Sequence, residues 1–381
     1  MDNHSDALAI YIHWPYCTRI CPYCDFNVYK ARNDETLTKA IAQDLTAWRA
    51  MTGTRTVTSV HFGGGTPSLM QPDDIGELIQ HIDRLWGLPK SAEIAIEANP
   101  GDAKAVNWQS LARVGVNRLS LGVQSFYDPA LKLLGRDHSG AQSRAALDLA
   151  MDIFPSVSLD LIFGWAGQTQ NQWADDLTIT INSGASHIST YQLTIETGTA
   201  FAKAEARGQS RASGEGESAD FYDYAASALG AAKYRHYEVS NFAKPGHESR
   251  HNLAYWQGLD YVGVGPGAHG RITQDGIRRA TIAHMRPDVY AQSTLETGSG
   301  IAEDERLSPE EWGEEYALMG LRIEDGISLS RHKAITQRAL PQSRIDEFVQ
   351  SGHLIVKNDR LMATYQGRLV LNHITEVLLT A

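Results

Sequence analysis

Cys17, Cys21 and Cys24 are the only cysteines of this 381-residue chain, and they fall in one segment, Tyr11-Ile-His-Trp-Pro-Tyr-Cys17-Thr-Arg-Ile-Cys21-Pro-Tyr-Cys24-Asp-Phe26. An odd number of cysteines in one tight cluster is not a disulfide framework. The C-x3-C-x2-C spacing suits three thiolates that each ligate one iron of a [4Fe–4S] cubane, leaving the fourth iron without a protein ligand. That open position can chelate the amino and carboxylate groups of a methionine moiety. One electron from a low-potential cluster can then cleave the adjacent sulfonium and release a 5′-deoxyadenosyl radical. Cys17, Cys21 and Cys24 are therefore expected to hold a cluster that binds S-adenosylmethionine. Two plainer readings compete. Structural zinc usually takes four protein ligands, commonly in C-x2-C pairs; no second pair exists, although His13 offers a fourth ligand. Three inert, buried thiols are the other alternative.

A second set of residues fits the co-substrate. His61-Phe-Gly63-Gly64-Gly65-Thr66-Pro67 ends an expected strand, and glycines there let the backbone turn sharply and approach a ligand. Gly64, Gly65 and Thr66 are candidates for the methionine ammonium and carboxylate. A plain tight turn is the bland alternative. Glu97, Gln124, Arg136 and Asp160 extend the series: carboxylates to accept from ribose hydroxyls or an amine, and a guanidinium to meet a carboxylate. Each alone is more often an ion-pair or surface residue; as a set at successive strand ends they read as a binding site.

The elements that must position these groups alternate along the chain. Strands are expected at 9–13, 59–62, 93–97, 118–123, 158–162, 189–194 and 237–240, with amphipathic helical stretches between them. Such alternation implies a parallel sheet. Polar or Gly-rich groups follow the C-terminal end of strand after strand, which favours a full or partial (β/α) barrel over an open sheet with one switch point. Beyond about residue 245 the rhythm changes. Residues 261–270 (YVGVGPGAHG) read as an irregular loop. Ser308 followed by Pro309 reads as a helix start, and helix–hairpin–helix order near the end suggests a winged-helix-like domain. The expected organisation is a barrel over 1–245, a linking segment over 246–300 and a small α+β end domain over 301–381.

Bulk properties exclude other classes. Apolar residues make up 42% and charged residues 21%, which supports a sizeable buried core. The net charge of −11 is ill suited to gripping nucleic-acid phosphates. The end segment 341–381 adds no basic footprint, with four basic and four acidic residues. The N-terminal stretch shows no export signal, no run is long enough to span a bilayer, and a cytoplasmic location is expected.

The motifs YIHWPYCTRICPYCDF, FGGGTPS, EANPG, NRLSLGVQSF, LGRDH, LDLIFG, YQLTIE and HNLAYW resemble, in that order, the coproporphyrinogen dehydrogenase branch of the radical-SAM superfamily, and within it the HemW-type haem chaperones. The likeness covers residues 11 to about 270, with a looser match beyond. It implies a partial (β/α)6 TIM-like radical-SAM barrel with a small C-terminal winged-helix-like α+β domain. It also implies a cluster on Cys17, Cys21 and Cys24, and an S-adenosylmethionine site lined by Tyr11, Gly64, Gly65, Thr66, Glu97, Gln124, Arg136 and Asp160.

Two departures choose between the branches. The dehydrogenase cysteine motif continues to a fourth cysteine where this chain has Phe26, and the dehydrogenase carries a long extension before its first strand, here expected within ten residues of Met1. Both point to the chaperones. The motif His251-Asn-Leu-Ala-Tyr255-Trp256 resembles the H-N-x-x-Y-W of that group. On a helix His251 and Tyr255 share a face, imidazole is a common axial ligand of haem iron, and aromatic rings pack against a porphyrin. An ordinary capped helix with buried aromatics is the alternative. The resemblance implies haem as a third bound group, with His251 as candidate ligand. It further implies apo-haem proteins such as respiratory enzymes as recipients, and peripheral contact with a membrane. The competing activity is oxidative decarboxylation of coproporphyrinogen III propionates in porphyrin biosynthesis. One loop departs from the group: Gly164-Trp165-Ala166-Gly167-Gln168 stands where it reads G-L-P-G-Q, so the loop is expected to be reshaped.

Overall fold

The computed structural model describes residues 6–32 and 34–380; residues 1–5, where the stretch read for an export signal begins, lie outside it, as do Asn33 and Ala381. Twelve strands form one sheet: β1 (Ala7–Trp14), β2 (Thr56–Gly64), β3 (Glu93–Ala98), β4 (Arg118–Gln124), β5 (Ser156–Phe163), β6 (His187–Gln192), β7 (Arg235–Glu238), β8 (Asn241–Ala243), β9 (Asp260–Val264), β10 (His269–Gln274), β11 (Ile277–Ala283) and β12 (Ile301–Arg306). Their spatial order is β12-β11-β10-β9-β1-β2-β3-β4-β5-β6-β8-β7. The seven neighbours from β9 to β6 are parallel. Antiparallel strands extend both edges. Six βα units run from β1 to β6, the number the family resemblance implied, and the sheet is not closed; the seventh expected strand, 237–240, overlaps β7, which pairs antiparallel with β8 at the edge and does not continue the parallel run.

Strand β1 shows why these residues fold so. Leu8, Ala9, Ile10 and Ile12 are all fully buried, so both faces are covered, as in a parallel sheet flanked by helices. The covering helices begin with polar caps. Ser139 and Gln142 form a reciprocal capping box before Gly140–Ile153, and Thr169 and Gln172 do the same before Gln170–Asn182.

The region 246–306 differs from the loop expected over part of it. Residues 261–270 hold most of β9 and the start of β10, with only a short turn between. The glycines serve close backbone packing: a Cβ on Gly263 would lie 2.0 Å from the His269 carbonyl oxygen, and one on Gly265 would lie 2.2 Å from that of His13. The stretch 246–300 therefore adds β9, β10 and β11 to the main sheet.

The end of the chain has its own core, in which Leu321, Ile327, Leu354, Leu361 and Ile374 are buried. Its helix Pro309–Gly320 starts at Ser308 in a capping box with Glu311. The hairpin Leu354–Lys357 and Arg360–Ala363 lies between the helices Gln342–Gln350 and Tyr365–Leu369. Buried Glu238 accepts from Arg322 Nε at 2.8 Å, tying this part to the sheet.

Candidate active site and its neighbouring cavity

The cysteine loop leaves β1 and is clamped from three sides. Gly65 N–H donates to the Trp14 carbonyl at 2.7 Å and Thr66 N–H to the Tyr16 carbonyl at 2.9 Å, fixing it to the glycine turn after β2. A Cβ on Gly65 would lie 2.8 Å from the Tyr16 oxygen, so only glycine permits this approach. A Cβ on Gly135, where φ is +68°, would lie 2.5 Å from Pro22, so the LGRDH turn packs directly on the loop. Phe201 N–H donates to the Pro22 carbonyl from another side.

Cys17, Cys21 and Cys24 line one cavity of about 380 Å³ at the C-terminal ends of the parallel strands. Gly64, Gly65, Thr66, Glu97, Gln124, Arg136 and Asp160 line it too. Ten of the twelve residues nominated from sequence thus share one cavity. Tyr11 does not line it: it borders a neighbouring cavity, and its hydroxyl lies 3.0 Å from His13 Nδ1. His251 lines neither.

The polar groups of the first cavity are ordered by one another. Thr66 Oγ1 donates to Cys17 Sγ at 3.4 Å, and Arg136 Nη1 donates to Cys21 Sγ at the same distance. Burial pushes the Cys17 thiol up and the Cys24 thiol to about 11, so without metal both carry protons that a metal must displace. Burial also raises the Asp160 carboxyl, against hydrogen bonds from Ser120, at 2.8 Å, and Ser189. Glu97 Oε1 lies 3.0 Å from His61 Nε2, and its Oε2 accepts from Gly64 N–H at 3.2 Å. Gln124 is held at φ +65°, and its buried Oε1 has no hydrogen-bond partner among the described residues; Arg136 Nε is likewise unpartnered. Strained backbone and orphaned polar atoms in one cavity mark a place built for a ligand.

Sequence reasoning missed three contributors. Asn99 donates to Thr66 Oγ1 at 3.0 Å and accepts from Arg136 Nη2. Ser120 orients Asp160, and His61 orients Glu97. Asn99 stood in the quoted strand-end group EANPG, but nothing in that group separates it from its neighbours.

Among the described residues no three of His, Cys, Asp and Glu converge as ligands of a single ion. A cubane does not ask for that, because each thiolate binds a different corner. The donor set fits such a group: three thiols outside any disulfide face a cavity whose other walls include the glycine turn, carboxylates, side-chain amides, apolar side chains and the guanidiniums of Arg19 and Arg136.

The loop after β5, Gly164 to Gln168, packs beside the site. Trp165 is buried, stacks on Tyr127 at 6.2 Å between centroids, and joins Leu134, Ile162 and Phe201 in a local core. Gln168 accepts from Gly164 N–H at 2.6 Å and closes the turn.

The second cavity encloses about 500 Å³ and shares Asp25, Phe26, Gly64 and Glu97 with the first. The helix Arg250–Trp256 gives it Tyr255 and Trp256. That helix is seated by Glu93, whose carboxylate accepts from the backbone N–H groups of Arg250 and His251. His251 is fully engaged. Its Nδ1 lies 3.0 Å from Ser59 Oγ, its Nε2 lies 2.6 Å from Tyr255 OH, and its ring stacks on His61 at 4.8 Å. Burial, with His61 beside it, lowers its pKa well below the usual range and keeps it neutral.

The Radical SAM superfamily profile matches residues 11–178, from the first strand through the helix after β5. A Bacillus subtilis protein named heme chaperone HemW is 34% identical over 96% of this chain and 97% of its own length. A second heme chaperone HemW, from Synechocystis, is 37% identical over 86% of this chain and 81% of its own. The chain belongs to the radical-SAM superfamily and, within it, to the HemW family. The mitochondrial radical S-adenosyl methionine domain-containing protein 1 of Danio rerio is likewise similar, 34% identical over 99% of this chain and 88% of its own. Among solved structures, coproporphyrinogen III oxidase HemN of Escherichia coli superposes with a TM-score of 0.81 over 99% of this chain and 91% of its own, at 22% identity. That likeness establishes the radical-SAM, TIM-like fold. Membership of the superfamily implies S-adenosylmethionine and a [4Fe–4S] cluster. No helix of the described residues is long and apolar enough to cross a membrane.

Proposed function

We propose that this HemW-family chain is a haem chaperone that carries a [4Fe–4S] cluster on Cys17, Cys21 and Cys24, binds S-adenosylmethionine beside it, and takes up haem for delivery to apo-haem proteins. The observation that carries this reading is the pairing of two cavities across a shared wall. One gathers the three thiols with the polar strand ends; the other presents the aromatic rings of the His251–Trp256 motif.

When bound, the cluster supplies one low-potential electron and an open iron coordination site. The chain's residues do the remainder. Gly64, Gly65 and Thr66 offer backbone and hydroxyl groups to the methionine end. Glu97 and Asp160 accept from amine or ribose donors, with His61 and Ser120 fixing their orientation. Arg136 sets its charge between the Cys21 sulfur and Asn99.

Phe26, exposed between the two cavities, stands where the dehydrogenase pattern has its additional cysteine. Its presence favours the chaperone over coproporphyrinogen decarboxylation. The deciding experiment is anaerobic reconstitution with iron and sulfide, followed by two parallel assays. Haem titration should show stoichiometric uptake. Incubation with S-adenosylmethionine, reductant and coproporphyrinogen III should leave the substrate unchanged. Turnover of coproporphyrinogen would replace this reading with the enzyme.

A further inference from the structure

We propose that haem, on the chaperone reading above, sits in the 500 Å³ cavity with the imidazole of His269 as its axial iron ligand, while His251 positions Tyr255 in the wall. Two histidines, His13 and His269, line this cavity, and two more, His61 and His251, are stacked behind its Tyr11 wall. Their surroundings separate them. His61 does not line the cavity: its Nε2 is held by Glu97 and its Nδ1 is buried. His13 has both ring nitrogens engaged, with Tyr11 OH at 3.0 Å and the Asn27 carbonyl at 2.9 Å, and its ring is packed so closely on Gly64 that a Cβ there would lie 2.5 Å away. His251 is buried off the cavity with both nitrogens engaged. To ligate iron, either ring would have to give up a hydrogen bond and leave its partner unpaired. His269 lines the cavity, is exposed, and has no ring hydrogen bond among the described residues.

The Gly-rich segment makes His269 a rigid ligand. Gly265 N–H donates to Tyr290 OH at 2.9 Å, Gly267 N–H to the His284 carbonyl at 3.0 Å, and Ala268 N–H to the Gly265 carbonyl at 3.1 Å. His269 then enters β10, opposite Ile282 of β11. A ligand on such a backbone needs little ordering when iron arrives.

The rest of the cavity fits a flat, apolar macrocycle with carboxylate arms. Tyr255, Trp256 and Tyr261 supply aromatic surface, and the large apolar side chains of Phe26 and Met285 are 62% and 52% exposed at its edge. Trp256 Nε1 is a buried donor without a partner among the described residues. Arg271 engages Glu315 through Nε and the Gly270 carbonyl through Nη1, leaving Nη2 for a propionate.

The test is hemin titration of the reconstituted full chain, read by difference spectra that subtract the cluster. His269→Ala should lose the wild-type ligand-field bands and bind about tenfold or more weakly, and added imidazole should restore the bands. Tyr255→Phe, which removes the His251 contact without opening a hole, should keep the bands. Circular dichroism and S-adenosylmethionine binding check that each variant is folded. Wild-type bands in His269→Ala overturn the ligand assignment and leave the chaperone reading standing. A wild-type chain that takes up no haem overturns both.

Discussion

Glu97 Oε1 lies 3.0 Å from His61 Nε2, so the end of β3 is locked to β2 by the same carboxylate that holds the Gly64 N–H. Hydrogen bonds to a charged group are worth about 1.5–3 kcal/mol. Glu97→Ala should therefore weaken S-adenosylmethionine binding roughly ten- to a hundredfold, measured by calorimetry on cluster-loaded protein. His61→Phe keeps the ring against His251 and removes only the orienting bond, so its effect should be smaller. Equal affinity in all three proteins would remove Glu97 from the binding site.

Cys17, Cys21 and Cys24 each face the same cavity. Replacing any one by serine should abolish stable uptake of iron and sulfide and the broad visible absorption that accompanies it. Iron and sulfide analysis after anaerobic reconstitution reads this directly. Wild-type protein that takes up zinc and no iron would reject the cluster.

The glycine turn is a packing requirement as much as a ligand site. Gly65→Ala places a methyl 2.8 Å from the Tyr16 backbone oxygen. Overpacking of this kind costs about 1–3 kcal/mol, visible as a lower midpoint in denaturant unfolding. Gly53→Ala, whose added methyl meets nothing within 4 Å, carries only the strain of its φ of +65°, whereas Gly65 is not at positive φ and meets only the collision. The two midpoints therefore read strain and collision separately.

Asp44 is buried where Tyr290 OH donates to it at 2.8 Å and Gly300 N–H at 3.1 Å. Burial lifts its pKa from 3.8 to about 6, even though both hydrogen bonds favour the charged form. Below pH ~4 folded and unfolded chains both hold the proton, between ~4 and ~6 only the folded chain does, and above ~6 neither does. This residue's contribution to stability therefore falls as pH rises through that window, by ~3 kcal/mol at 1.36 kcal/mol per unit. Denaturant unfolding at pH 4 and pH 7 should show the loss in wild type and a flatter profile in Asp44→Asn.

The barrel strands were legible because their cores are nearly continuous or alternating apolar runs. Leu8 to Ile12 announces a buried parallel strand without help from tertiary contacts, and Leu119, Leu121 and Val123, alternating with Ser120 and Gly122, mark another by period two. The helix start at Ser308 was legible because capping chemistry is local. Strand β12 was not: Ile301–Arg306 reads IAEDER and is exposed along almost its whole length, so no hydrophobic period marks it. Its place comes from pairing with β11, a long-range fact. The segment 261–270 misled for the opposite reason, since glycines that admit a neighbouring backbone look like glycines that loosen a loop.

Within the site, residue types and spacing pointed to the thiols and most strand-end polar groups. They could not reveal Asn99 bridging Thr66 and Arg136, because that contact joins separate strand ends. The i, i+4 relation of His251 and Tyr255 was visible in the motif and appears as a 2.6 Å hydrogen bond. That Ser59 occupies the other ring nitrogen was invisible, since it lies on a strand nearly two hundred residues earlier in the chain.

Asp25, Phe26, Gly64 and Glu97 border both chambers. A guest that shifts this partition changes the affinity for a guest on the other side, and reciprocity makes the two changes equal in magnitude. Titrating either compartment with its neighbour empty and then filled yields one coupling constant from two independent directions.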